Sequence, residues 1–72
     1  MTDLKLFSEV ALLRDVPEKG LTRGQVGTVV ELYSPQDAEV EFIDSEGYTY
    51  AMATLRADDL IRLYHQPIER AA

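Results

Sequence analysis

The nine residues Arg23-Gly24-Gln25-Val26-Gly27-Thr28-Val29-Val30-Glu31 constrain this chain more than any other stretch, because a Gly-x-x-Gly turn there runs straight into a β-branched strand. Glycine tolerates backbone angles and close contacts that a Cβ forbids, so Gly24 reads as a turn position and Gly27 as the place where the strand bends. From Gln25 to Tyr33 the two phases of a period-two pattern hold Val26, Thr28, Val30 and Leu32 on one side and Val29, Glu31 and Tyr33 on the other. Apolar residues in both phases require a coiled strand, and coiling is how a small sheet closes into a barrel.

Four further extended segments surround that strand. The first runs from Ser8 to Arg14, with Val10 and Leu12 facing inward. Asp15-Val16-Pro17-Glu18-Lys19-Gly20 then breaks it, Pro17 presetting a turn angle and Gly20 accepting a positive one. After the turn Ser34-Pro35-Gln36-Asp37, the segment Ala38–Ile43 shows the cleanest alternation in the chain, Val40 and Phe42 to the core and Glu39 and Glu41 to solvent. Asp44-Ser45-Glu46-Gly47 reads as a hairpin connection with Gly47 in the left-handed position. Tyr48–Leu55 returns with Thr49, Ala51, Ala53 and Leu55 on one face and Tyr48, Tyr50, Met52 and Thr54 on the other. Arg56-Ala57-Asp58-Asp59 suits a single 3-10 turn, its aspartates capping free N–H groups, before a last strand over Leu60–Tyr64. The expectation is an all-β fold: a five-stranded SH3-like barrel over residues 8–65, an N-terminal extension over 1–7 and a tail over 66–72.

Seventy-two residues allow one domain and one modest core, so association with a partner would contribute to working stability. The chain has no cysteine and one histidine, His65, without a second ligand at metal spacing, so no metal or cofactor is expected. The N-terminal residues lack the pattern of a secretory signal and no window is apolar enough to span a membrane, which suits a cytoplasmic protein. Thirteen acids against seven bases give a net charge of −6, which disfavours a phosphate backbone. A minor basic edge of Arg14, Lys19, Arg23, Arg56 and Arg62 is read as solvated surface.

Three pieces of the chain, Ala11-Leu12-Leu13-Arg14-Asp15-Val16-Pro17-Glu18-Lys19-Gly20-Leu21, Gly24-Gln25-Val26-Gly27-Thr28-Val29-Val30-Glu31 and Thr54-Leu55-Arg56-Ala57-Asp58-Asp59-Leu60, together resemble a bacterial family of small SH3-like proteins, domain of unknown function 4926. The middle piece alone also occurs in other SH3-like barrels, KOW-type domains among them. The resemblance implies an SH3-like fold and a non-catalytic role as companion of another bacterial protein, of toxin–antitoxin type. It carries over no catalytic or binding residue.

Two surface features point to partner binding. Between Gly24 and Leu55 there is no Lys or Arg, while Glu31, Asp37, Glu39, Glu41, Asp44 and Glu46 all fall there. Like charges crowded on one hairpin repel unless something basic sits opposite, although exposed charge also keeps sheet edges from aggregating. Tyr48, Tyr50 and Met52 at spacing two form an outward stripe suited to a protein contact, a second copy of the chain included. Gly20, Gly24, Gly27 and Gly47 are structural turn positions. Ser8, Ser34 and Ser45 lack a base and an orienting group, and so small a fold leaves little room for a pocket, so no enzyme is expected. The reading is a protein-binding module whose acidic surface, Glu31, Glu39 and Glu41 with Tyr48, Tyr50 and Met52, docks a basic partner. The alternatives are a KOW-like nucleic-acid-binding module and a small structural subunit of a larger complex.

Overall fold

The computed structural model describes residues 4–67. Five strands form one antiparallel sheet: β1 (Glu9–Leu12), β2 (Val26–Ser34), β3 (Asp37–Ile43), β4 (Thr49–Arg56) and β5 (Leu60–Arg62). Their spatial order is β4-β3-β2-β1-β5, so the first strand lies between the second and the last. A 3-10 turn (Ala57–Asp59) leads into β5 as the sequence implies, and another (Pro17–Lys19) interrupts the long β1–β2 connection. The all-β, five-stranded expectation holds, but the sheet is open: no ladder joins β4 to β5 among the described residues.

The core is the concave face of this sheet. Val10, Leu12, Val29, Ala38, Val40, Phe42, Ala53, Leu55 and Leu60 are buried there, and Val16 and Leu21, bridged to each other, cover it from the β1–β2 connection. Burying a side chain the size of Phe42 contributes roughly 1.5–3 kcal/mol. Small residues, Ala38, Ala53 and Gly27, lie beside these larger side chains in the core.

Gly27 does not bend β2 as expected; it makes room. A Cβ built there would lie 2.6 Å from Val40 Cγ1 and 2.9 Å from the Glu41 carbonyl oxygen, closer than atoms pack. The bend lies further along, where the β2–β3 register slips between Val29 and Glu31 and again between Leu32 and Ser34. Val30 and Tyr33 are the extra residues. The slip at Val30 resets the alternation, so that Val29 and Leu32 face inward while Glu31 is exposed. Apolar residues in both phases thus reflect a bulge that switches phase.

A third register slip alters β4. Phe42 pairs with Ala51 but Ile43 pairs with Thr49, leaving Tyr50 unmatched. The turn before it is held by Asp44, whose Oδ1 accepts the Glu46 N–H (2.9 Å) and the Tyr48 N–H (3.0 Å), while Gly47 takes φ 91°. Gly20 (φ 69°) and Gly24 (φ 94°) are the other left-handed glycines, as expected of turn positions.

Strand ends differ from the sequence reading. β1 covers Glu9–Leu12 rather than Ser8–Arg14, and β5 stops at Arg62 rather than Tyr64. Residues before β1 are tied to the sheet: Leu4 packs against the core, Phe7 N–H donates to Val29 O (2.7 Å) and Ser8 O accepts from Val29 N–H (2.9 Å). Most of the tail expected over 66–72 lies outside the described residues. The aspartates of the second 3-10 turn cap nothing. Arg56 is the N-cap, without a side-chain bond, and Asp59 instead holds Arg14 Nε at 3.1 Å, which keeps that guanidinium's pKa above its ordinary value.

Candidate functional site

The convex face of β2, β3 and β4 collects the carboxylates. Glu31 sits directly across from Glu39, Glu39 across from Thr54, and Glu41 across from Thr28 on one side and Met52 on the other. Two like charges facing each other on neighbouring strands cost stability by a few tenths to about 1 kcal/mol. No Lys or Arg of the described residues lies within ion-pair reach of Glu31, Glu39 or Glu41. Hydroxyls occupy that place instead. Thr54 Oγ1 donates to Glu39 Oε1 at 2.6 Å, Tyr33 OH donates to the same oxygen at 3.3 Å, and Thr49 Oγ1 donates to Glu41 Oε2 at 2.5 Å.

These bonds orient the carboxylates without neutralising them. Tyr33 registers the local field: partial removal from water first, then the charges of Glu39 and Glu31 and the bond to Glu39, raise its pKa above the ordinary 10.0. Tyr33 therefore remains a donor across the working pH range. The sequence assigns Thr49 to the face of Ala51 and Ala53, but the bulge moves it to the outer face; its bond to Glu41 and that of Thr54 to Glu39 were not legible, because only the β3–β4 register shows which hydroxyl faces which carboxylate.

The other acids of the cluster serve locally. Asp37 accepts the Ser34 hydroxyl at 2.8 Å and lies 3.7 Å from Arg56 Nη1, and Asp44 is committed to its turn. The acidic region is thus a compact outer-face group, Glu31, Glu39 and Glu41, with Asp37 and Asp44 drawn off to the strand ends.

Tyr48, Tyr50 and Met52 are all exposed, but a bulge interrupts their alternation. The bulge at Tyr50 puts Thr49, not Tyr50, beside Glu41 and Met52 on the convex face. Tyr50 turns toward the core rim, its ring 6.3 Å from that of buried Phe42 and its hydroxyl accepting Gln25 Nε2 at 3.2 Å. Tyr48 precedes the strand and is 69% exposed, and Tyr64 follows β5 at the far end of the strand order, its ring 4.8 Å from the Arg62 guanidinium. Of the three stripe residues only Met52 shares a row with a glutamate.

A second feature lies at the other end of the sheet. Phe7, Glu9, Arg62, Tyr64 and His65 line an open depression of about 710 Å³, larger than so small a core leads one to expect. There His65 Nε2 contacts Glu9 Oε1. Ser8 is buried at its edge and spends its hydroxyl accepting Lys5 N–H at 3.0 Å. Among the described residues no three His, Asp or Glu side chains gather as a metal site requires, and no helix is long and apolar enough to cross a membrane.

The family model of a domain of unknown function, DUF4926, matches residues 6–62, and the chain belongs to that family. No curated protein and no solved structure matches it.

Proposed function

We propose that this member of the DUF4926 family is a non-catalytic binding module whose convex β2–β3–β4 face docks a basic protein, as the antitoxin-like or regulatory member of a bacterial, cytoplasmic protein pair. In this reading the open sheet is an SH3-like barrel whose free side is completed by the β1–β2 connection, since β4 packs toward the Pro17–Lys19 turn and Tyr50 reaches Gln25. One observation carries the functional reading. Glu31 and Glu39 face each other, with Glu41 alongside, and hydroxyls rather than cations hold the carboxylates of Glu39 and Glu41 in place. That arrangement weakens the free module and is offset only when positive charge arrives from outside.

Mechanistically, the carboxylates steer a basic surface to the sheet and fix its orientation, while apolar contacts beside them supply affinity. The test is capture of partners from the source cell by the intact chain, compared with the double variant Glu39→Lys, Glu41→Lys. The wild type should retain a basic protein that elutes with rising salt, and the double variant should lose it while its melting temperature is unchanged or higher. Retention by the double variant, or a salt-dependent gel shift of RNA or DNA by the wild type, would overturn the proposal.

A further inference from the structure

We infer that the partner's contact element is an amphipathic helix, seated across the convex face with its apolar stripe over Ile61, Ala11, Val26 and Ile43 and Lys or Arg along the flank that meets Glu41, Glu39 and Glu31. The inference rests on the docking reading above and specifies its occupant.

Register carries the geometry. Ala11 pairs with Ile61 on β5 and with Val26 on β2, and the Thr28–Glu41 pairing, continued by two residues, brings Ile43 level with Val26. The ladders therefore join Ile61, Ala11 and Val26 in one row, and Ile43 stands at the end of β3 where that row would continue. Ile61, Val26 and Ile43 are 50%, 46% and 42% exposed. Two residues along the strands, about 7 Å away, runs a second row: Glu9, Thr28, Glu41 and Met52. Glu31, Glu39 and Thr54 make the next. The face thus passes from apolar to anionic within about 7 Å at Glu41 and about 14 Å at Glu39 and Glu31, the nearer distance lying inside the width of one helix, about 10 Å.

Three strand spacings make the apolar row roughly 14 Å long, which about nine helical residues span at 1.5 Å each. An added β-strand does not fit, because the row crosses β1 and β2, whose backbone groups are already paired on both sides. A second copy of the chain does not fit either. A two-fold contact on this face would press Glu31, Glu39 and Glu41 of one chain of net charge −6 toward those of the other. A helix with an apolar stripe and a basic flank matches both rows at once.

The probe is a synthetic peptide of about 14 residues with leucines on one helical face and lysines beside them, set against a peptide of the same composition with the leucines scattered. With the full chain isotopically labelled, the striped peptide should bind at least about tenfold tighter and move the amide resonances of Ala11, Val26, Ile43 and Ile61. Val26→Thr with Ile61→Thr should cancel that tenfold preference while the melting temperature stays unchanged; Ile61→Thr alone serves if the double variant is less stable. Equal, salt-sensitive binding of both peptides would overturn the helix seat and leave acidic docking standing. Failure of both peptides to bind at low salt would remove both readings. A wild-type dimer in sedimentation that the double variant dissociates would make the occupant a second copy and overturn the inference.

Discussion

The two faces of the β2–β3–β4 meander are built from the same three strands under opposite constraints. On the concave side, Gly27 is so close to Val40 and the Glu41 backbone that a single methyl group has no space, and Phe42 is fully buried beside it. On the convex side, Glu31 opposes Glu39 without a cation, and Val26 and Ile43 stand half in water. One face has no latitude and the other tolerates a standing cost. The difference teaches that folding determines the inner residues of this module, whereas nothing in the isolated fold requires the outer ones.

Substitutions can break that contrast. Phe42→Ala should be the most damaging, losing about 3–5 kcal/mol in urea denaturation, a large share of what a domain of this size holds. Gly27→Ala should follow at about 1–3 kcal/mol, because Val40 and Phe42 must shift and the Glu41 carbonyl cannot. If Gly27→Ala were neutral, the inner face would be looser than its contacts indicate.

Outer-face changes should be smaller and of opposite sign. Glu31→Gln removes one of two facing charges and should stabilise the chain by a few tenths to about 1 kcal/mol at low salt, with the gain shrinking at high salt. A loss instead would mean that the convex face is structurally committed. The smallest effect concerns alkali. Tyr33 holds its proton more tightly folded than unfolded, so its contribution is complete below pH 10.0 and is lost as pH rises from there through the raised folded value. Tyr33→Phe should therefore blunt the fall in stability above that pH, read from melting curves at successive pH values.

Local patterns made much of this legible in the sequence. The alternation of Ala38–Ile43 places Glu39 and Glu41 outside and Val40 and Phe42 inside, as found, and Gly47 marks its turn because only glycine takes that angle without strain. What escaped depends on partners distant in the chain. The bulges at Val30 and Tyr50 exist only relative to β3, and each reverses which side chains share a face; one exposed Glu31 opposite Glu39, the other interrupted the alternation of Tyr48, Tyr50 and Met52. The apolar row was out of reach for the same reason, since Ala11 and Ile61 become neighbours only through the β1–β5 ladder. Period-two reading assigns a residue to a face, but it cannot say which strand lies next door.

The β1–β4 meander can assemble while β5 is still to come, because each of its ladders joins strands adjacent in sequence. Ile61 arrives last, on a three-residue edge strand zipped to β1. Fraying of that short strand would therefore cut the apolar row at one end while leaving the anionic hairpin whole.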